Sequence, residues 1–257
     1  MHKISACVMT CNEASKIRDA LESVRWVDEI VVVDSGSSDR TVEICREYTS
    51  RIHTHPFKNF GNQRNVAAGL ATHDWVLSLD ADERVTPELR DEIRRVLADD
   101  PRDAAYHIPR KNFFLGRWIR HGGWYPDYRH AQLFQRHRAR YTETACHEGF
   151  TVDGSIGRLR EHVIQYPFTD IAHFLEKHNR YSSLMAEQMR DAGRRFHAHQ
   201  LITHPIFTFI KMYLVRQGFR DGIPGLILAG LYANYTFAKY AKLWALQPAA
   251  TGSRPRP

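Results

Sequence analysis

Short apolar runs alternate with amphipathic segments along the first hundred residues. The apolar runs are rich in β-branched residues and lie at 4–9, 29–34, 51–55 and 75–80. Unbroken runs of this kind are typical of strands buried on both faces, as in a parallel sheet. The segments between them have helical spacing or helix-start signals, and they begin at 15, 41, 62 and 86. This order predicts an α/β fold in which helices cover both faces of a mostly parallel sheet.

The pattern changes after about residue 100. Three strand-like segments follow, at 105–114, 129–135 and 156–166. From residue 169 onward, apolar residues recur at helical spacing, and further helices are expected at 204–218 and 224–246. Residues 248–257 are rich in proline, glycine and basic residues, so we predict a disordered tail there. The sheet domain is therefore expected to carry a C-terminal helical extension.

Composition narrows the class of protein without identifying a partner. The chain has 257 residues, 43% of them hydrophobic, which suits one large domain or one domain with an extension. The formal charge of +7 is compatible with nucleic acid, an anionic membrane or an acidic substrate. Four cysteines without a Cys-x-x-Cys pair favour reduced thiols and a cytosolic location. We recognise no signal peptide and no run of about 18 uncharged apolar residues.

Carboxylates follow two of the predicted strands at the point where each strand ends. Asp34 begins the sequence Asp-Ser-Gly-Ser-Ser-Asp, and Asp80 and Asp82 follow the run at 75–80. Ligands of open α/β sheets bind at the carboxyl ends of the strands. Two carboxylates at i and i+2 can bind one Mg²⁺ or Mn²⁺, which can hold a diphosphate. The two motifs together favour an enzyme that uses a nucleotide sugar, although each alone is also compatible with helix capping.

Four motifs resemble those of family 2 glycosyltransferases, which have the GT-A fold. They are Thr10-Cys11-Asn12-Glu13, the segment 30–41 around Asp34, Gly61-Asn62-Gln63-Arg64-Asn65, and Leu77-Ser78-Leu79-Asp80-Ala81-Asp82-Glu83. Residues 117–127, 133–136, 147–148 and 177–181 are similar to the bacterial subgroup that glucosylates inner-core heptose of lipopolysaccharide. The resemblance covers residues 3–245. It implies an inverting, metal-dependent enzyme that moves a hexose, glucose in that subgroup, from a UDP-sugar to a lipopolysaccharide core acceptor.

The resemblance also implies which residues hold the nucleotide. Thr10 and Glu13 would line the nucleoside pocket, and Asp34 would contact the uracil or the ribose. Arg64 would approach the uracil or the diphosphate. Asp80 would contact the ribose or take part in metal binding.

The metal and the base complete the implied site. Asp82 would bind Mg²⁺ or Mn²⁺ with Asp80, and His147 is a further candidate for a metal or phosphate contact. An inverting transferase needs a carboxylate that takes the proton of the acceptor hydroxyl. Many members of the family carry a Glu-Asp pair in the acceptor half, and this chain has none there. Glu148 is the first candidate for the base and Asp127 is the second.

The aromatic stretch 113–128 suits a sugar-phosphate acceptor. Trp118, Trp124 and Tyr125 can stack on sugar rings, and Arg117 can bind a phosphate through its guanidinium. Packing of these aromatic residues in a core is the competing interpretation.

We expect four segments in all. They are a nucleotide-sugar half at 1–100, an acceptor half at 101–168, a helical extension at 169–247 and a tail at 248–257.

The C-terminal helices interleave apolar residues with lysine and arginine. This pattern predicts peripheral binding to the anionic inner face of the bacterial cytoplasmic membrane, although packing on the core or on a partner subunit is equally compatible. The oligomeric state stays open.

Transfer to polyprenyl phosphate or to another cell-envelope glycan is an alternative function. A nucleotidyltransferase would need a glycine-rich loop after the first strand, and nucleic acid would be repelled by the strand-end carboxylates.

Overall fold

The computed structural model of the chain describes residues 2–98, 100–128, 130–143 and 149–247. Its strands and helices follow the chain in the order β1 (Ile4–Thr10), α1 (Ile17–Glu22), β2 (Glu29–Asp34), α2 (Thr41–Cys45), β3 (Ile52–Thr54), α3 (Phe60–Leu70), β4 (Trp75–Asp80), β5 (Glu83–Val85), α4 (Pro87–Ala98), β6 (Ala105–His107), β7 (Arg110–Phe114), β8 (Arg117–Trp118), β9 (Leu133–Gln135), β10 (Ala139–Tyr141), β11 (Phe150–Val152), β12 (Ile156–Arg158), β13 (Val163–Gln165), α5 (Ile171–Asp191), α6 (Gln200–Ile210) and α7 (Gly222–Leu246). A π-helical turn, Lys211–Val215, and a 3₁₀ turn, Gly218–Asp221, lie between α6 and α7.

Contacts along the chain divide it into two units. The first contains Met1–Asn112 and Pro126–Tyr166, and the second contains Phe113–Tyr125 and Pro167–Pro257. The aromatic stretch therefore groups largely with the C-terminal helices. The functional division at residues 100 and 168 stays a prediction, and the predicted tail at 248–257 lies outside the described residues.

A seven-stranded sheet in the order β12-β6-β9-β4-β1-β2-β3 forms the centre of the first unit. Strands β1, β2, β3 and β4 all run parallel to one another, while β9 runs antiparallel to β4 and β6. The predicted α/β fold with a mostly parallel sheet is confirmed. The predicted strand at 105–114 is two strands, β6 and β7, with Pro109 between them, which is consistent with the missing N–H of proline.

Alternate residues of the central strands pack against helices on opposite faces of the sheet. On one face, Val8 and Val32 belong to a core that includes Ile17 of α1, Ile44 of α2 and Leu89 of α4. On the other face, the neighbouring strand residues Cys7, Val31 and Val33 pack with Ala67 of α3. Because successive strand residues point to opposite faces, an unbroken apolar run is what a sheet covered on both sides requires.

The second unit is built around α5, α6 and α7. Phe114, Phe168, Phe174 and Leu228 form an aromatic core in it, and Phe113 and Phe114 pair with Trp118 and Arg117 of β8. The helix expected at 204–218 is α6 followed by the π-helical turn, and the chain turns at Gln217 with a φ of 57°. No helix among the residues that the structure describes is long and apolar enough to cross a membrane.

Candidate active site

Three of the predicted site residues lie side by side where β1, β2 and β4 end. In the register of the sheet Thr10 is opposite Asp34, and Met9 is opposite Asp80. The hydroxyl oxygen of Thr10 is buried and has no hydrogen-bond partner among the residues described. The sheet therefore brings Thr10, Asp34 and Asp80 to the edge at which ligands of open α/β sheets bind.

Asp34 orders the loop that follows β2. Its side chain is 2% exposed, and Oδ2 accepts hydrogen bonds of 2.9 Å from the backbone N–H groups of Gly36 and Ser37. Gly36 has a φ of +93°, a conformation that glycine adopts without strain. The loop is tied to the end of β1, since Oδ1 of Asn12 accepts a hydrogen bond of 2.8 Å from the N–H of Ser38. The nucleoside contact expected of Asp34 stays a prediction.

Glu13 lies in the loop that follows β1. Its backbone N–H donates a 2.8 Å hydrogen bond to Oγ1 of Thr41, at the start of α2, and its carboxylate is 3.1 Å from Nζ of Lys16. Lys16 is 5% exposed, so this pair is partly shielded from water. The loop after β1 is therefore held by α2, and the proposed contact of Glu13 with the nucleoside rests on its position in that loop.

Arg64 of α3 contacts the end of β4. Its Nη2 donates to both carboxylate oxygens of Asp80, at 2.8 and 3.0 Å, and Nη1 donates to Oγ of Ser78 at 3.2 Å. The guanidinium is 4% exposed and lies 5.6 Å from the ring centre of Tyr141. The Asp80 side chain is 32% exposed. A buried cation thus contacts a carboxylate that solvent can still reach.

The residues on either side of Arg64 explain why this segment of α3 has its sequence. Nε2 of Gln63 donates a 2.7 Å hydrogen bond to Oγ of Ser35, in the loop after β2. Asn65 exchanges two hydrogen bonds of 2.9 Å with the backbone of Tyr141 in β10. The Gln-Arg-Asn segment therefore links α3 to the loop after β2, to the end of β4 and to β10 of the two-stranded sheet, and it holds Arg64 between them.

A buried ion pair lies beneath the turn that carries Asp80 and Asp82. Glu83 is fully buried, and its Oε1 accepts a 2.6 Å hydrogen bond from Nε of Arg110, which is 3% exposed. Oε2 of Glu83 accepts from the N–H of Asp80 at 3.0 Å and from Nε2 of Gln132 at 2.9 Å. Burial raises the pKa of the Glu83 carboxyl, and the Arg110 guanidinium acts in the opposite direction.

Asp127, the second candidate for the base, lies next to this pair. Its Oδ2 is 3.9 Å from Nη1 of Arg110, the two residues form an isolated antiparallel bridge, and the side chain is 14% exposed. No sequence motif marks Arg110 or Gln132 as part of the site. Arg110 is 27 residues from Glu83 and Gln132 is 49 residues away, so no local motif joins them.

The carboxylate oxygens of Asp80 and Asp82, at the end of β4, are of the kind that bind a metal ion shared with a diphosphate. Asp82 is 8% exposed and its Oδ1 accepts a 3.1 Å hydrogen bond from Nε2 of Gln165. Within the described ranges, no group of three His, Cys, Asp or Glu side chains converges on one point. Mg²⁺ in phosphate-transferring sites commonly uses one or two carboxylates plus substrate oxygens and water, so the pair Asp80 and Asp82 is compatible with such an ion, and their metal binding stays a prediction. His147 and Glu148 lie outside the described residues.

The four residues predicted to bind the acceptor belong to the second unit. Trp118 and Tyr125 contact each other edge to face, with ring centres 5.3 Å apart, and the guanidinium of Arg120 lies 4.1 Å from the Trp118 ring centre. Trp124 packs against the aromatic core of that unit, which supports the packing interpretation for this residue. Arg117 is exposed, and its Nη2 donates to the carbonyl of Arg220 at 3.4 Å.

Comparison with known proteins gives a family and a fold. The model of the family described as glycosyl transferase family 2 matches residues 5–166. An "Uncharacterized glycosyltransferase" of Rickettsia felis is 32% identical over 95% of this chain and 90% of that protein. The "Lipopolysaccharide core biosynthesis glycosyltransferase LpsC" of Rhizobium meliloti is 28% identical over 94% of this chain and 92% of its own length.

A solved structure supports the same architecture. The mannosyltransferase PcManGT from Pyrobaculum calidifontis, in complex with GDP-Man and Mn²⁺, superimposes with a TM-score of 0.55. The alignment covers 96% of this chain and 88% of that one at 16% identity, so it supports a similar fold and no more.

Proposed function

Because the chain belongs to glycosyl transferase family 2, we propose that it transfers a hexose, glucose in the first instance, from a UDP-sugar to a saccharide of the lipopolysaccharide core. The observation that carries this proposal is the convergence of Thr10, Asp34 and Asp80 at the carboxyl edge of the sheet, with Arg64 on Asp80. Membership of the family favours glycosyl transfer over nucleotidyl transfer, the other class that the sequence left open.

The residues at the sheet edge are proposed to bind different parts of the nucleotide-sugar donor. Thr10 offers a buried hydroxyl to the nucleoside, Glu13 and Asp34 lie in the two loops beside it, and Arg64 supplies a positive charge for the diphosphate. Asp80 and Asp82 would hold a divalent cation, Mg²⁺ or Mn²⁺, which neutralises charge that develops on the departing diphosphate. The PcManGT structure, which has a similar fold, contains Mn²⁺ with GDP-Man, and we propose a divalent cation here by analogy.

The reaction needs a base on the acceptor side. The acceptor oxygen bonds to the anomeric carbon as the bond from that carbon to the diphosphate oxygen breaks, and the hydroxyl proton passes to a carboxylate. Two carboxylates are candidates, Glu148 and Asp127. The contact of Asp127 with Arg110, and through Glu83 with the turn of Asp80, supports Asp127 as a candidate, and Glu148, outside the described residues, is the alternative. Arg117, Trp118 and Tyr125 are the proposed acceptor contacts, and Trp124 packs against the aromatic core of the second unit.

A screen of donors tests the proposal. We expect UDP-sugars to raise the melting temperature when Mn²⁺ is present, and GDP-mannose to have a smaller effect. At a donor concentration about 100 times its Kd, binding stabilises the folded chain by about 2.7 kcal/mol, which corresponds to a shift of several degrees. The transfer of labelled hexose from UDP-glucose, UDP-galactose or UDP-N-acetylglucosamine to heptose-containing core lipid identifies the donor. Formation of UDP-sugar and pyrophosphate from UTP and a sugar 1-phosphate, without sugar transfer, would contradict the proposal.

The same proposal includes a location at the inner face of the cytoplasmic membrane. Asp221 is the single acidic residue between residues 192 and 247, a stretch with seven lysines and arginines. Asp221 is 2% exposed and its carboxylate accepts hydrogen bonds from the N–H and the ring of His121, so it contributes little negative charge to the surface. The exposed charge of this stretch is therefore positive.

Large apolar side chains are exposed along the same stretch. Ile202, Ile206, Ile210 and Leu214 recur every four residues, and between 41% and 65% of each side chain is exposed. Phe207, Val215, Phe219, Ile223 and Leu226 are also exposed. Apolar side chains among cations, without exposed carboxylates, suit a surface of anionic lipid.

Liposome binding tests the location. Replacing Lys211 and Arg220 by serine is expected to weaken binding to anionic liposomes about thirtyfold, because each cation near the surface contributes about 1 kcal/mol. Arg102→Ser with Arg160→Ser removes the same charge from the first unit and is expected to have little effect. Binding should fall with added salt. Equal binding to neutral liposomes, or concentration-dependent dimers without lipid binding, would assign the apolar residues to another role.

A further inference from the structure

Two carboxylates with different proposed tasks contact one buried cation. Arg110 donates through Nε to Glu83 at 2.6 Å, and its Nη1 lies 3.9 Å from Oδ2 of Asp127. Glu83 in turn accepts the N–H of Asp80, so it holds the turn that carries the proposed metal ligands. A continuous chain of contacts therefore links the turn of Asp80 and Asp82 to Glu83, Glu83 to Arg110, and Arg110 to Asp127.

We propose that Arg110 is a positioning residue that sets the place of Asp127 relative to the turn that holds the donor. This inference rests on the proposed function and on Asp127 as the base. Arg110 is suited to the task because its guanidinium is planar and presents several donors at fixed angles, so that it can face two carboxylates at once. The backbone bridge between Arg110 and Asp127 brings the two residues side by side, which leaves the orientation of the Asp127 carboxylate to the side-chain contact.

The arrangement explains why a charged pair is buried at this point. A buried ion pair is commonly no more stabilising than apolar residues of the same volume, since both charges lose their hydration. Glu83 is fully buried and Arg110 is 3% exposed, so both charges of this pair lose nearly all of their hydration. Its retention is accounted for if the geometry of the site requires it, because misplacing a reacting group by about 1 Å costs about 10²-fold in rate.

The Arg110→Lys variant separates positioning from donor binding. Lysine keeps the charge, but its one nitrogen replaces the two nitrogens, Nε and Nη1, that face Glu83 and Asp127, so it cannot reproduce both contacts with the same geometry. We expect kcat to fall by about 10²-fold, while the Kd for UDP with Mn²⁺, measured by calorimetry, changes by less than about threefold because Glu83 keeps its bonds to Asp80 and Gln132. The control is Arg84→Lys, at the next residue after Glu83, where the arginine pairs with an Asp19 side chain that is 64% exposed.

A double-mutant cycle with Asp127→Asn decides between positioning and general stability. If Arg110 acts through Asp127, then Arg110→Lys lowers kcat by less than about threefold once Asp127 is already asparagine. An equal hundredfold loss in both backgrounds would overturn the inference. Should Arg110→Lys fail to fold, Arg110→Met with Glu83→Gln removes the pair without leaving one buried charge alone, and it enters the same cycle. Wild-type chain without any sugar transfer would instead defeat the proposed function.

Discussion

Asp82→Asn is expected to lower sugar transfer by about 10²-fold or more and to abolish the effect of Mn²⁺ on UDP binding. Asparagine keeps the volume of the side chain and can still accept the hydrogen bond from Gln165, so the fold should persist. What disappears is one of the two negative charges that follow β4. Without it, the proposed cation would be held by Asp80 alone, whose oxygens already face Arg64.

The measurement is a titration of UDP into the variant with and without Mn²⁺, together with turnover of the UDP-sugar. Asp74→Asn is a matched control because Asp74 precedes the other end of β4 and its side chain is 76% exposed. We expect the control to keep the metal dependence of the wild type. Wild-type turnover and undiminished metal dependence in Asp82→Asn would show that Asp82 does not bind the metal.

The elements that the sequence predicted best are those whose pattern is local. The run Ile30-Val31-Val32-Val33 is β2 because each of its residues finds a covered face of the sheet. The convergence of Thr10, Asp34 and Asp80 also follows from sequence, since parallel strands end at the same edge. An unbroken apolar run and the end of a strand can be read from the sequence without knowledge of distant contacts.

Features that depend on distant contacts were not predictable in the same way. Strands of two or three residues, such as β5 and β8, are too short to show a period. Arg110 and Gln132 converge on Glu83 from β7 and from the residue before β9, and nothing next to them in sequence marks that contact. A glutamate directly after the Asp80–Asp82 motif was the available signal, because an acidic residue buried in a sheet must find a cation or several donors.

Asp127→Asn is expected to lower kcat by about 10² to 10⁴-fold, the usual range for a general base, with little change in the Kd for UDP. The neutral side chain can still receive a hydrogen bond, but it cannot take the proton of the acceptor hydroxyl. The side chain is 14% exposed beside Arg110, which leaves part of it accessible to an acceptor. Glu148→Gln is the competing variant, and we expect the smaller loss there.

Rescue by a small carboxylate distinguishes the two candidates more sharply than the losses alone. In Asp127→Ala the missing carboxylate leaves space beside Arg110, whose side chain is 3% exposed and can hold an anion such as formate. Formate at high concentration is therefore expected to restore part of the turnover of Asp127→Ala without affecting Glu148→Ala. Rescue of Glu148→Ala alone, with a large loss in that variant, would assign the proton transfer to Glu148. In that case Arg110 and Asp127 would be a structural pair.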